Sequence, residues 1–403
     1  MATAPAEITA ILNSVSEASA RMARFNELVA ALCAQEKVPE LTRLVDFILS
    51  EDSSQFALFS RPLLHEVAVK MGGMADGNKK ILAVHALDKM RARVVSYEEE
   101  DYIIREHLAA VHQHEGEFSA AARCLAQINL ESGSRQRSVA EKAEKYVKIA
   151  ELFLEDEDAV SAEAYCTRAS MIIHEVDDVS LNLRYKVTYA RIVDSKRQFQ
   201  LAANRYYDLS LNLNNLQIDE EDLEKLLKNA CTCAILAPAG PQRSRLLAIL
   251  MKDDRVPKLE SYGVLKKMFH ERIIRGAEVA KFAETLMEHQ KASFADGSTV
   301  LDRAVLQHNV LAASKVYSNM LLGEFGSLLE VDPRKAEKVA ARMILDSNLE
   351  GYIDQRKGVI HFGVTESEHL KRWDAKIGHI CMKVNRILEA IEPAAEANAV
   401  MVG

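Results

Sequence analysis

The chain has 403 residues, 48% hydrophobic and 27% charged, with a net charge of −8 and only 8 Pro and 16 Gly. That length predicts two or three folding units, the scarcity of turn residues and aromatics argues against a β-sandwich or barrel, and the negative balance excludes a global basic field for nucleic acid or anionic membrane. The six cysteines (Cys33, Cys124, Cys166, Cys231, Cys233 and Cys381) are scattered without a disulfide framework and read as reduced thiols. No basic-then-apolar leader opens the chain, and no run reaches the ~18 apolar residues of a membrane span, so the composition predicts a soluble intracellular protein.

From Glu17 to Met71 apolar residues recur at helical spacing: Phe25, Leu28, Val29 and Leu32, then Leu41, Leu44, Val45 and Ile48. Residues 71–78 read as a loop, residues 79–90 as a helix, and Ser96 with Glu99 as a capping box opening the next one. An internal repeat follows. Ala121, Ala162 and Ala202 lie 41 and then 40 residues apart, each just beyond a charged turn and each preceded by a matching apolar row such as Tyr146, Ile149, Leu152 and Phe153. Small residues at that position let two helices approach closely, and a helix pair cannot bury its face alone, so the pairs are predicted to stack into a solenoid. Asp219, Glu220, Glu221 and Asp222 place acids at the positive end of a further helix, which Pro238 and Pro241 terminate.

The period changes in residues 299–362. Thr299 and Asp302 cap a helix with Leu301, Ala304, Val305 and Val310 on one face; a short helix runs through Phe325, Leu328 and Leu329; Asp332 and Pro333 open a third, with Ala336, Val339, Ala340, Met343 and Ile344 inside. After Gly351, two short β-forming runs flank residues 354–358, which have hairpin-turn composition. Helix, helix, helix, two strands is the order of a winged helix. Beyond it Leu370, Trp373, Ile377, Ile380, Val384, Ile387 and Ile391 step alternately by three and four residues, the seam of a coiled coil or bundle that needs partner helices. Pro393 to Gly403 read as a loose tail.

Catalytic chemistry is not found. His112 and His114 lie two apart on a predicted helix and point to different faces, Cys231 and Cys233 likewise, and the Gly72 to Lys79 glycine run lacks the strand and hydroxyl of a phosphate loop. Residues 155–158 are acidic without EF-hand spacing. Arg243 and Arg245 admit two readings, an anion site at a helix start or structural salt bridges. Arg334, Lys338 and Arg342 line the third helix of the winged helix, yet residues 315–363 carry seven basic and seven acidic side chains, a weak footprint for nucleic acid. The sequence therefore assigns no catalytic, cofactor-binding or metal residue.

Helical repeats running into a winged helix with a trailing seam helix resemble the PCI family, which supplies scaffold subunits to the proteasome lid, the COP nine signalosome and a translation initiation complex. Residues 152–170, 239–255, 289–319, 332–344 and 351–362 are similar to a signalosome member of that family. The resemblance implies an all-α chain: a right-handed helical-repeat (TPR/HEAT-like) solenoid over 1–195, the helical part of a PCI domain over 196–295, a winged-helix subdomain over 296–365 and a bundle helix over 366–392, with 393–403 loose. It implies a non-catalytic scaffold and substrate-sensing subunit, nuclear and cytoplasmic, of the complex that removes the ubiquitin-like modifier Nedd from cullin–RING ligases. The alternatives are a PCI scaffold in the proteasome lid or initiation complex, or a winged-helix nucleic-acid-binding protein. By this resemblance the N-terminal repeats meet the cullin–RING ligase, and the winged helix and last helix meet other subunits. The expected interface residues are Val359, Ile360, His361 and Phe362, taken as an exposed strand edge, together with the seam from Leu370 to Ile391.

Overall fold

The computed structural model describes residues 18–49, 57–131, 137–212, 219–294, 297–363 and 366–401, and the chain divides into two compact units, Met1–Arg197 and Gln198–Gly403. The boundary expected at 295/296 falls on residues outside those described.

Unit 1 is built of consecutive helices: α1 (Ala18–Ala34), α2 (Val38–Leu49), α3 (Ala57–Met71), α4 (Asp76–Met90), α5 (Glu98–His114), α6 (Phe118–Ala126), α7 (Val139–Glu155), α8 (Ala159–Ile172) and α9 (Val179–Ser195). A 3-10 turn at Arg91–Ser96 precedes α5, whose N-cap is Tyr97, so the expected Ser96 capping box is not formed. The repeat is written in the backbone of the corners. Glu36, Gly116, Glu157 and Arg197 all take the left-handed conformation, with φ of 49°, 78°, 59° and 60°. At the first three the residue after the left-handed one reaches back to the helix: Lys37 N donates to Leu32 O (3.2 Å), Glu117 N to His112 O (2.8 Å) and Asp158 N to Phe153 O (2.9 Å). These bonds satisfy carbonyls that a helix end otherwise leaves orphaned, and they reverse the chain tightly. Ala121, Ala122, Ala150 and Ala162, all fully buried, then let successive helices pack against Ile149, Leu152 and Phe153.

Charged pairs align neighbouring hairpins. The Arg184 guanidinium forks onto Glu151 at 2.7 and 3.2 Å, Arg191 donates to Glu155 at 2.8 Å, and Glu36 accepts from Ala75 N and Asn78 Nδ2, both at 2.9 Å. Exposed pairs of this kind contribute about 0–1 kcal/mol each, so they set register while apolar burial supplies stability.

Unit 2 continues with α10 (Phe199–Asn212), α11 (Glu220–Leu236), α12 (Pro241–Leu250), α13 (Tyr262–Phe269), α14 (Gly276–Glu284) and the single turn α15 (Glu288–Lys291), followed by α16 (Val300–Val316), β1 (Asn319–Leu321), α17 (Leu322–Leu328), α18 (Pro333–Leu345), β2 (Gly351–Asp354), β3 (Val359–Phe362) and α19 (Glu366–Met401). The last turns of α11 are buried on all sides. Cys231 and Cys233 lie there, both fully buried, and burial pushes the Cys231 thiol up to about 12.

The turn after α11, the segment before α14 and helix α16 meet around one buried polar group. Arg243 is 4% exposed, with no carboxylate bonded to it among the described residues. Its Nη1 donates to Ala237 O (3.1 Å) and its Nη2 to His308 Nδ1 (3.5 Å). His308 Nε2 in turn donates to Arg272 O (2.9 Å), and the Asn309 side chain accepts from Ile274 N and donates to Ile274 O, both at 2.9 Å. Arg243 thus turns inward to backbone and imidazole, replacing both the anion-site and the salt-bridge reading, while Arg245 stays exposed. Desolvation lowers the Arg243 guanidinium to about 10. Desolvation, reinforced by the Arg243 charge, lowers His308 to about 4 against the bond to Arg272 O, holding it neutral.

The winged helix closes over Val310, Phe325, Ala336, Ala340, Met343 and Ile360. The Thr299–Asp302 capping box is present, at 3.0 and 3.1 Å, and Pro333 stands at the first position of α18, although the Asp332 side chain makes no cap bond. Gly326 is required for close approach, because a Cβ there would lie 2.9 Å from both Val331 O and Pro333 Cγ.

Two predictions follow from this geometry. Glu157→Gly relieves a side chain held at positive φ and raises stability by about 0.5–1 kcal/mol, whereas Gly116→Ala lowers it by about 1 kcal/mol; urea midpoints compare them, and equal effects at both corners would contradict the assignment. His308 has its folded value below its ordinary 6.5. Its contribution is therefore complete above that pH and is lost as pH falls from 6.5 toward 4, because the unfolded chain takes the proton first. The loss amounts to about 3 kcal/mol, and a His308→Gln chain is expected to lose correspondingly less stability between about pH 7.5 and 4.5; parallel curves for the two proteins would refute it.

Candidate functional site

Helix α19 carries an apolar stripe that the described chain leaves bare. Leu370 (67% exposed), Trp373, Ile377, Ile380, Val384 (49%) and Ile387 all face solvent, while the side chain of Ile391 lies outside the described residues. Exposed Cys381 and Leu388 widen the row, each four residues after a seam position, a spacing by which they were legible in the sequence. The helix continues to Met401, past residue 392 where the sequence reading ends it, so residues 393–401 of the segment expected to be a loose tail are helical. Burying one large apolar side chain is worth about 1.5–3 kcal/mol, and a row at this spacing matches the knobs of a multi-helix seam.

The sheet corrects the expected edge. Its order is β1-β3-β2, all antiparallel, so Val359–Phe362 is the central strand, hydrogen-bonded on both sides. Ile360 is fully buried and Val359, His361 and Phe362 are partly buried. The element that takes the supposed free edge is β1, paired through Asn319↔His361, Met320↔Ile360 and Leu321↔Val359. Three extended residues between two helices give no alternation long enough to distinguish a strand from a helix start, and the sequence reading missed them.

The open edges are those of β1 and β2. Gly363 N donates to Glu350 O at 2.7 Å, and alternation of paired and unpaired positions from there directs the N–H and C=O of Gly351 and Ile353 away from β3. Of the four expected residues, His361 reaches the outer face as a side chain, stacked on Tyr352 with ring centroids 4.6 Å apart and planes 13° from parallel. Tyr317, Leu321 and Tyr352 are 40–50% exposed. This arrangement offers a backbone edge and an aromatic face to protein.

The charged clusters are mostly self-satisfied. His112, Glu115 and Glu117 bring three ligand-type atoms within 4.8 Å of one another, but His112 Nδ1 lies 2.7 Å from Glu117 Oε2 and the Lys80 ammonium bonds to both carboxylates. His114, on another face as expected, bonds Asp76 at 3.1 Å. Bonds from His112 and Lys80 hold the Glu117 carboxyl below its ordinary range. On α18, Arg334, Lys338 and Arg342 are exposed, but acids interleave with them and with the wing: Arg342 lies 3.9 Å from Asp346, Lys357 3.9 Å from Asp354, and Glu337 accepts from Gln355 at 2.6 Å. A face of mixed sign suits protein better than a phosphate backbone. Among the described residues no helix is long and apolar enough to cross a membrane.

Comparison with known proteins agrees with this architecture. The family model for the N-terminal region of PSMD12/CSN4 matches residues 9–218, and the PCI domain model matches residues 279–364. The COP9 signalosome complex subunit 4 of Arabidopsis thaliana is 43% identical over 383 residues, covering 94% of this chain and 96% of the relative. Its namesake from Drosophila melanogaster is 42% identical over 360 residues (89% and 87%), and that from Dictyostelium discoideum 40% identical over 381 residues (94% and 95%). Matched from its first repeats through its wing, and aligned with these relatives along nearly their whole length, the chain belongs to the COP9 signalosome subunit 4 family of PCI-domain proteins.

Proposed function

We propose that the chain is a non-catalytic scaffold and substrate-sensing subunit of a COP9 signalosome, acting in removal of the ubiquitin-like modifier Nedd from cullin–RING ligases. The observation that carries this reading is the α19 seam: a row of apolar side chains half to two-thirds exposed is too costly to leave in water and is spaced for helices that other subunits supply. The outer edge of β2 accepts a strand from a neighbouring subunit, and the Tyr352–His361 stack lies beside that contact. Unit 1 turns toward the cullin–RING ligase. Family membership supports this placement and also the expectation of nuclear and cytoplasmic location. The reading assigns the chain no cofactor and no metal; the isopeptidase chemistry belongs to another subunit.

Co-expression with the remaining subunits followed by affinity capture tests the assembly role. A chain ending at Gly363, or one carrying Trp373→Glu and Ile380→Glu, is expected to drop out of the captured complex while unit 1 keeps its melting transition. Entry at the intact chain's level would refute the seam as the assembly element. Mass spectrometry of the co-purifying proteins separates a signalosome from a proteasome lid or an initiation complex.

A further inference from the structure

A groove of about 540 Å³ separates α4 from α6 in unit 1, with α5 as its base. It is open because the facing residues of α6 are small: Ala120 and Cys124 stand opposite Val84 and Leu87 of α4, over Leu108 of α5. The apolar lining continues onto the surface, where Val84 is 52% and neighbouring Ile81 58% exposed.

The rim is cationic. Arg91, Arg105 and Arg123 border the groove against a single acid, Asp88. Arg105 donates Nε to Asp101 (2.8 Å) and Nη1 to Gln127 (2.6 Å), which fixes its plane. Arg91 and Arg123 are exposed and form no ion pair among the described residues; Asp158 feels the Arg123 charge without bonding to it. A solvated face is ordinarily of mixed sign, as on α18. Here the Arg91 and Arg123 guanidiniums, with no acid bonded to them among the described residues, flank an apolar trough beside the Asp101-paired Arg105, and arginine rather than lysine offers a planar fork to carboxylates.

We propose that this groove binds an acidic amphipathic helix of a partner protein, apolar side chains seated between α4 and α6 and Asp or Glu side chains on Arg91 and Arg123. The lined stretch, Val84 to Arg91 on one wall and Ala120 to Gln127 on the other, accommodates two to three helical turns, roughly 11–16 Å. Helix-in-groove recognition with anchors at three- and four-residue spacing is the mode it fits. The proposal goes beyond the assembly role of α19 and does not depend on it.

Fluorescence anisotropy of the full chain with a fluorescein-labelled synthetic helix of about three turns, Leu on one face and Glu on the other, is the test. The peptide is expected to bind, more weakly at high salt, and to lose about tenfold or more in affinity for an Arg91→Glu/Arg123→Glu chain. Both positions are exposed, so an unchanged melting transition is expected to confirm that the variant folds. Ala120→Trp, which fills the trough, is expected to weaken binding without touching charge. A Lys-for-Glu peptide and a Ser-for-Leu peptide should each bind at least about tenfold more weakly. No binding of the Leu/Glu peptide, undiminished binding by the double arginine variant, or equal binding of the Ser-for-Leu peptide or of a single-stranded oligonucleotide, would overturn the proposal, the last two by marking a non-selective polyanion surface.

Discussion

Apolar helix faces that water will not accept organise this chain at every level. In unit 1 each amphipathic hairpin is covered by the next, through fully buried alanines at 121, 122 and 162 and the aliphatic rows against them. In unit 2 the winged helix does the same around Phe325 and Ile360. Helix α19 has the same need and, among the described residues, no such cover: its seam from Leu370 to Ile387 stands in solvent. One physical requirement thus accounts both for the stable units and for the element that reaches outward.

Electrostatics here serves position more than stability. Surface pairs such as Glu151 with Arg184 align hairpins without contributing much energy. The Arg243 cluster is different, because desolvation makes its geometry strict. A guanidinium without a carboxylate has to be met by carbonyl and imidazole lone pairs, and His308 supplies one only as the neutral tautomer that donates to Arg272 O. Ala237, Arg272 and α16 are thereby tied at one point, and the Asn309 clasp on Ile274 repeats the device one residue on. The winged helix is in this way fastened to the helices that precede it.

Placement of β3 in the middle of the sheet alters how the wing meets protein. An edge at Val359–Phe362 would have offered the hairpin's second strand to a neighbour; instead β1 occupies that side and the outer edge of β2 is open. Tyr352, on that edge strand, and His361 stack beside it, so a strand added to β2 would lie next to an aromatic pair.

Periodicity alone determined the helical class, the repeat and its corners, the capping box at Thr299, the winged-helix order and the seam of α19, since each is a local pattern whose reward is burying one face. It left the destinations of individual side chains undecided. Arg243 next to a helix start carried no mark of whether it faced an anion, an acid or a buried imidazole, because His308 is distant in sequence. Ser96 and Glu99 have capping-box spacing, yet after the 3-10 turn the N-cap position falls on Tyr97, whose side chain makes no cap bond. Only the fold decided the strand order, because β1 is three residues long and is a strand solely through its bonds to β3. The arginine-rimmed groove likewise exists only in the folded chain, where helices separated in sequence set Arg91, Arg105 and Arg123 around one trough. Local spacing is legible in a chain; adjacency between distant segments is created by packing.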